Sequence, residues 1–317
     1  MDLIEHKFVE TNGGLKLHVA QIGTGDKVVL LLHGFPEIWY SWRHQMLALA
    51  GAGYRAIAPD YRGYGLSDPP PKPDEATFID FAADVAAVLD SLQIPKAAVV
   101  AKDFGVYVAS RFALLYPERL QGMVTLGIPF TPPGPGASAI LALLHEGFYA
   151  RRWMEPGRAE ADFGRFDAKT VVRKIYVLFA GTELPTAAVD QEIMDLVGAS
   201  PDLPAWLTEE DLSTYGDLYQ KSGFQTALKV PYRYSKLKES ADVTDLTVRV
   251  PAMLILGDKD YVRKSPGFED YANFGVKHFV PDLEIVHLSE GSHFVQEQLP
   301  EQVNELILGF LGARIWS

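Results

Sequence analysis

The 317-residue chain contains no cysteine. Disulfides, thiol catalysis and thiolate metal sites are therefore excluded, and the composition suits a reducing compartment. Basic residues are scarce relative to acidic ones, with 29 Lys and Arg against 41 Asp and Glu, so the net charge is −12. A charge of this sign and size disfavours binding to nucleic acid or to anionic membranes.

Long apolar runs are also missing. No run approaches the roughly 20 residues that a membrane-spanning helix needs, and residues 1–5, MDLIE, are too polar for a secretory signal. We therefore expect a cytoplasmic protein without a membrane span. The apolar content of 48% is enough for the core of one large α/β domain that carries an insertion.

Short apolar runs alternate with stretches of helical periodicity near both ends of the chain. Strands are predicted over 7–10, 15–22, 28–33, 54–60, 97–101, 122–127, 250–256 and 283–288. Helices are predicted over 41–50, 77–92, 106–116 and 301–311. The turn at 11–14, TNGG, joins the first two strands into an antiparallel hairpin. The later alternation predicts a mostly parallel, doubly wound sheet.

The alternation stops at the proline-rich segment 129–136 and resumes only near residue 250. Between these points the pattern is helical and irregular, without a clear strand. The simplest interpretation is a helical cap domain over 131–246, inserted into a core domain made of 1–130 and 247–317. Such a cap would cover the carboxyl ends of the strands, where ligands bind in open α/β sheets.

The most informative short motif follows the predicted strand 97–101. Residues 101–105, AKDFG, have the small-x-nucleophile-x-small pattern of a strained strand-to-helix corner, with Asp103 at its centre. Small residues are needed at Ala101 and Gly105 because the backbones pack closely there. A carboxylate is a better nucleophile towards a strained or activated carbon than towards an amide carbonyl. Its attack on such a carbon forms an alkyl ester on the enzyme. The motif therefore favours epoxides or alkyl halides as substrates, although an aspartate after a strand is also a common helix N-cap.

An acid and a histidine follow the nucleophile in chain order. Asp258 and Asp260 both come after the predicted strand 250–256, and His293 comes after the strand 283–288. The order nucleophile, acid, histidine is that of α/β hydrolases. In it the acid orients the imidazole, and His293 activates a water. Each residue alone has an ordinary structural interpretation, and their joint occurrence at strand ends carries the prediction.

An oxyanion hole is predicted beside the nucleophile. The loop 33–36, HGFP, closes the strand 28–32. In this fold one backbone N–H comes from that loop, here from Phe35, and the second comes from the residue after the nucleophile, Phe104. His33 is expected to be a structural loop residue.

Five segments resemble soluble epoxide hydrolases, especially those of plants. They are 33–43 (HGFPEIWYSWR), 58–65 (APDYRGYG), 154–157 (MEPG), 221–224 (KSGF) and 291–294 (GSHF). The similarity runs almost end to end. It implies an α/β-hydrolase fold with a helical cap, and hydrolysis of an apolar epoxide, such as a fatty-acid or aryl one, to a vicinal diol. The only other reactant implied is water, with no cofactor or metal.

The resemblance also implies roles for single residues. Asp260 is favoured over Asp258 as the acid because it lies three residues beyond Gly257, as in related hydrolases. Two cap tyrosines would donate hydrogen bonds to the epoxide oxygen. The first is Tyr149, and the second is Tyr232 or, because the spacing is one residue longer than usual, Tyr234.

The elbow departs from the family pattern. The family carries His-Asp-Trp-Gly where this chain has Lys102-Asp103-Phe104-Gly105. We expect the Lys102 charge to lower the pKa of Asp103 and to pair with Glu37. The substrate pocket is predicted to include Trp39, Glu37, Lys102, Phe148 and Trp153.

Two other functions stay open at this point. A haloalkane or haloacetate dehalogenase shares the aspartate nucleophile, but Phe104 and Glu37 stand where halide donors usually lie, and Phe104 and Tyr107 stand where fluoroacetate enzymes have arginines. A non-catalytic receptor or scaffold with the same fold is the second alternative, and it stays open because of the unusual Lys102 and the shifted spacing of the second cap tyrosine.

Overall fold

The computed structural model describes residues 3–11, 13–134, 143–233 and 243–317. Within them eight strands form one sheet in the order β1-β2-β4-β3-β5-β6-β7-β8. The strands are β1 (Glu5–Glu10), β2 (Lys16–Ile22), β3 (Val28–Leu32), β4 (Arg55–Pro59), β5 (Ala97–Lys102), β6 (Leu120–Leu126), β7 (Ala252–Gly257) and β8 (Leu283–Leu288).

The direction of the strands agrees with the pattern of the sequence. β1 and β2 form the predicted hairpin, and β2 pairs antiparallel with β4. All pairs from β4 to β8 are parallel. Every residue of β3, β5 and β7 is buried, as expected for Val-, Leu- and Ala-rich strands that are covered on both faces.

Helices surround the sheet. They are α1 (Arg43–Gly51), α2 (Phe78–Ser91), α3 (Phe104–Leu115), α4 (Tyr149–Trp153), α5 (Arg158–Phe163), α6 (Ala168–Phe179), α7 (Glu209–Ser222), α8 (Gln225–Arg233), α9 (Phe268–Asn273), α10 (Val295–Gln298) and α11 (Pro300–Phe310). The chain moves outward from β3 to β4 and then returns past β3 to β5. Right-handed crossovers therefore put α1 and α2 on opposite faces of the sheet.

Helix α2 begins where the sequence predicts. The Thr77 hydroxyl accepts a hydrogen bond from the Asp80 amide at 3.3 Å, and the Asp80 carboxylate accepts one from the Thr77 amide at 2.8 Å. This reciprocal capping satisfies two backbone donors that the first turn leaves without partners. Within the described residues, no helix is both long enough and apolar enough to cross a membrane.

Helices α4–α8 form an insertion between β6 and β7, as expected for a helical cap. Phe148 and Thr186 form an isolated antiparallel bridge inside it. The exact division into a core domain (1–130 and 247–317) and a cap domain (131–246) stays a prediction.

A buried ionic cluster joins the insertion to the core. Glu297 in α10, 2% exposed, accepts hydrogen bonds from Arg43 at the start of α1, from the Tyr176 hydroxyl in α6 at 2.9 Å and from the Tyr215 hydroxyl in α7 at 3.0 Å. Arg43 also lies 3.1 Å from Asp211 in α7. Glu297 and Arg43 in the core thus both bind side chains of the insertion. These contacts hold the insertion in place, because a buried charge that loses partners is costly.

We expect Glu297→Ala to destabilise the fold by about 3 kcal/mol, because it removes the main ionic partner of buried Arg43. Glu75→Ala is the matched control, since Glu75 pairs with Lys72 on the surface and such pairs contribute about 0.5 kcal/mol or less. Urea unfolding followed by tryptophan fluorescence measures both variants. Equal shifts of the two unfolding midpoints would contradict a role for the cluster in stability.

Candidate functional site

The backbone at Asp103 is strained. The residue lies between β5 and α3 with φ 50° and ψ −127°, a conformation that residues other than glycine rarely adopt. Its side chain makes no capping hydrogen bond to α3, so the N-cap interpretation does not hold. A Cβ on Gly105 would lie 2.3 Å from the Leu32 carbonyl oxygen and 2.6 Å from that of His33. The close packing predicted from the sequence is therefore present, and it admits only glycine at 105.

The acid and the histidine meet Asp103 at the carboxyl ends of β7 and β8. His293 Nδ1 lies 3.1 Å from Asp260 Oδ1 and 3.2 Å from Asp260 Oδ2. On the other side of the ring, His293 Nε2 lies 3.9 Å from Asp103 Oδ1. All three side chains are buried. Asp260 can therefore hold the imidazole while the second ring nitrogen faces the Asp103 carboxylate.

Asp258 points away from this group. It pairs with Arg263 and, at 2.9 Å, with His287 Nδ1, and its side chain is 39% exposed. The hydrogen bond from His287 lowers the pKa of Asp258 below its usual range. Of the two candidate acids, the structure brings only Asp260 to His293.

The loop after β3 supplies a backbone donor to the nucleophile. The Phe35 amide donates to Asp103 Oδ2 at 3.0 Å. A Cβ on Gly34 would lie 2.6 Å from the same oxygen, so a glycine lets the loop approach this closely. Phe104 is the first residue of α3, next to Asp103, and the role of its amide stays a prediction.

His33 is a structural residue of this loop. Its Nδ1 lies 2.9 Å from the Gly34 carbonyl oxygen, and its Nε2 accepts a hydrogen bond from the Tyr61 amide at 3.4 Å. Burial lowers the pKa of His33 to about 4, so the ring stays neutral at pH 7.

Two tyrosines from the insertion face each other near the nucleophile. The ring centroids of Tyr149 in α4 and Tyr232 in α8 are 6.0 Å apart. Burial raises the pKa of both phenols above the usual value, so both hydroxyls keep their protons at neutral pH. The buried Tyr232 hydroxyl has no hydrogen-bond partner among the described residues. The alternative Tyr234 lies outside the described residues.

A cavity of about 400 Å³ opens above Asp103. Among the described residues that line it, Asp103 is the only charged one, and Phe104, Tyr107, Phe148, Tyr149, Tyr232, Tyr261, Phe268 and Tyr271 are aromatic. Of the five predicted pocket residues, only Phe148 is part of this lining.

The two predicted tryptophans require a correction. Trp39 packs against His6 and His18, with ring centroids 4.8 and 6.1 Å away, beside the hairpin β1–β2. Trp153 lies behind the two cap tyrosines, with its ring 5.0 Å from each. Both are buried in these packing contacts, and neither is among the residues that line the cavity.

Glu37 and Lys102 also lie outside the cavity lining. Lys102 Nζ is 3.3 Å from Glu37 Oε2, so the predicted ion pair is present, and both side chains are buried. Glu37 also accepts hydrogen bonds from the Gly34 amide at 3.1 Å and from the Gln296 side chain. Burial raises the pKa of Glu37, and the charge of Lys102 opposes that shift. Through the Gly34 amide, the pair is joined to the loop after β3.

Tyr261 and Tyr107 are lining residues that sequence reasoning did not select. Tyr107 lies one helical turn after Asp103 on α3, and Tyr261 follows Asp260 directly. Their closeness in sequence to the nucleophile and the acid was the available signal. Within the described residues, no group of three or more His, Asp or Glu side chains is arranged to hold a metal ion.

Comparison with known proteins places the chain in a family. A model of the alpha/beta hydrolase fold matches residues 27–300. Epoxide hydrolase 3 of Siraitia grosvenorii is 38% identical over 317 residues, which cover 98% of this chain and 99% of the relative. The chain belongs to the epoxide hydrolase family.

Solved structures of the epoxide hydrolase family have the same architecture. An epoxide hydrolase from Vigna radiata gives a TM-score of 0.90 at 38% identity, covering 98% of both chains. Epoxide hydrolase I of potato gives a TM-score of 0.87 at 35% identity, covering 98% of this chain and 99% of the potato chain.

The neutral His33 predicts a dependence of stability on pH. Its folded pKa of about 4 lies below the ordinary 6.5, so between these values the unfolded chain binds a proton that the folded chain does not. The contribution of this residue to the free energy of unfolding is therefore fully present above pH about 6.5. As the pH falls towards about 4, the free energy of unfolding decreases by roughly 3 kcal/mol. His33→Gln removes this titration.

The free energies of unfolding of the wild type and of His33→Gln, measured by urea unfolding from pH 7 to 4.5, check this. The wild type should lose its advantage over the variant as the pH falls. A constant difference between the two proteins would show that the His33 pKa is not lowered.

Proposed function

We propose that the protein opens an apolar epoxide to a vicinal diol through an alkyl ester on Asp103. One observation carries the proposal. Asp103 is held at a strained corner, under a cavity whose lining includes two protonated phenols, and it faces His293. This is the set of groups that a nucleophilic carboxylate needs for an epoxide.

In the first step, a carboxylate oxygen of Asp103 attacks one ring carbon, and the bond between that carbon and the epoxide oxygen breaks. The negative charge moves to the epoxide oxygen, where Tyr149 and Tyr232 donate hydrogen bonds. The Tyr232 hydroxyl, which has no partner among the described residues, gains one when an epoxide oxygen binds. An unpaired buried donor is costly, and this gain supports its assignment to the substrate.

In the second step, water hydrolyses the ester. His293 Nε2 takes a proton from the water, and Asp260 stabilises the imidazolium. The hydroxide attacks the carboxyl carbon of Asp103, and the resulting oxyanion is stabilised by the Phe35 amide, which already contacts Asp103 Oδ2 at 3.0 Å. The Phe104 amide is the proposed second donor. When the tetrahedral intermediate collapses, the imidazolium gives its proton to the departing alcohol oxygen. The remaining proton of the attacking water replaces the one that the epoxide oxygen took up, so the diol leaves and the carboxylate is restored.

The cavity indicates a neutral, apolar substrate. Its lining in the described residues is rich in aromatic rings and provides no cation. An anionic substrate would have to enter an apolar site that already contains the Asp103 carboxylate. Nothing in the described lining would compensate the charge of such a substrate. An aryl epoxide or a neutral derivative of an epoxy fatty acid fits better than a free fatty acid. We propose the cytoplasm as its compartment, in keeping with a chain that has no cysteine.

The observations do not favour the two alternatives. A dehalogenase needs halide donors, and Glu37 is engaged by Lys102 and does not line the cavity. A receptor or scaffold would not need His293 held against Asp260 with its other nitrogen towards Asp103.

One turnover in water enriched in heavy oxygen tests the ester. Because water attacks the carboxyl carbon of Asp103, we expect the label in the peptide that contains this residue, as measured by mass spectrometry. The peptide containing exposed Asp258 serves as an internal control and stays unlabelled. Diol formation with label only in the diol would overturn the ester, and halide release from a chloroalkane without epoxide turnover would identify a dehalogenase.

A matched pair of substrates tests the charge preference. We expect the methyl ester of an epoxy fatty acid to have a kcat/KM at least roughly tenfold higher than that of the free acid, because the described lining offers no cation and Asp103 repels the carboxylate. A steady-state assay of diol formation measures both. Equal values, or a preference for the acid, would contradict a neutral substrate class.

A further inference from the structure

A third phenol contacts one of the two cap tyrosines. Tyr261 begins the short 3₁₀ helix Tyr261–Lys264 directly after Asp260. It is 1% exposed, and its hydroxyl donates to the Tyr149 hydroxyl at 3.1 Å. Its ring centroid lies 5.0 Å from that of His293. Tyr261 is thus wedged between the base and the first cap tyrosine.

The hydrogen bond decides where the Tyr149 proton points. A phenol has one proton to donate and an oxygen that accepts. Because Tyr261 donates to Tyr149, the acceptor side of the Tyr149 oxygen is occupied, and its own proton stays available to the cavity. Tyr232 lacks such a partner within the described part of the chain. The two cap tyrosines are therefore not equivalent.

We infer that Tyr261 is a positioning residue that makes Tyr149 the proton donor to the epoxide oxygen. The inference rests on the proposed function. When Asp103 forms its bond to carbon, the carbon–oxygen bond of the ring breaks, and the released oxygen takes the proton of Tyr149. Tyr149 becomes a phenolate that keeps the hydrogen bond from Tyr261. The proton released when water hydrolyses the ester restores Tyr149.

The same proton transfer is less favourable from Tyr232. A phenolate at Tyr232 would be buried, and no hydroxyl donates to its oxygen among the described residues. Burying a charge without a hydrogen bond is costly, and a hydrogen bond to a charged oxygen is roughly twice as strong as one to a neutral oxygen. Tyr232 therefore donates a hydrogen bond to the epoxide oxygen and keeps its proton.

The experiment isolates the first step in a His293→Gln background, where the ester accumulates because no base activates water. Rapid quenching and mass spectrometry of the intact protein give the rate of ester formation. The substrates are 1,2-epoxypropane and its 3,3,3-trifluoro analogue, which both open at the terminal carbon. The trifluoromethyl group stabilises the alkoxide, so the analogue needs less proton donation.

We expect Tyr261→Phe to slow ester formation by roughly tenfold with 1,2-epoxypropane and by roughly twofold or less with the trifluoro analogue. A structural displacement would slow both substrates equally. Tyr271→Phe is the matched control, because Tyr271 also lines the cavity but donates to the Phe130 carbonyl oxygen at 2.8 Å. Whatever its effect on rate, this control should slow both substrates by the same factor.

A double-mutant cycle completes the test. Tyr261→Phe should have almost no further effect when Tyr149 is already phenylalanine, and it should keep its full effect when Tyr232 is. Equal slowing of both substrates by Tyr261→Phe, or an undiminished effect in the Tyr149→Phe background, overturns the role of Tyr261 alone. Absence of any ester in the His293→Gln protein overturns the proposed function instead.

Discussion

The close approach of the backbones around Asp103 is the constraint on which the site depends. The first turn of α3 lies so near the end of β3 that no side chain fits at Gly105, and the loop after β3 needs a glycine at 34 for the same reason. Together these contacts hold Asp103 in a conformation that costs of order 1–3 kcal/mol. The cost is offset by packing of fully buried strands, and in return the carboxylate is aimed at the cavity.

The buried cations nearest the site in sequence or in the core each pair with an acidic side chain other than Asp103. Lys102 is adjacent to Asp103 in sequence, yet its ammonium group pairs with Glu37. Arg43 is engaged by Glu297 and Asp211. The contacts around Asp103 that matter for reaction are a backbone amide and, farther away, an imidazole. A nucleophile without a tight cationic partner keeps its electron pair available for attack on carbon.

The sequence predicted the parts of the site that follow from topology. Asp103, His293 and the two candidate acids come after strands whose carboxyl ends share one edge of the sheet, so a correct strand assignment brought them together. The choice of Asp260 over Asp258 needed the family resemblance as well. The pocket was different. Trp39 and Trp153 are large and apolar, as lining residues often are. Whether such a ring reaches a cavity depends on the conformation of the loops, which sequence periodicity does not predict. Tyr261 was missed because a phenol beside an acid has no distinctive pattern.

The adjacency of Asp260 and Tyr261 links the two halves of the proposed catalytic cycle through a single peptide bond. In the proposed cycle one residue orients the base that releases the product, and its neighbour supports the phenol that assists ring opening. A change in the path of this short segment would alter both half-reactions together. If Tyr261 has the role inferred above, enlarging the site at position 261 to admit bulkier substrates carries a kinetic penalty that reshaping at Phe268, which lines the cavity from α9, avoids.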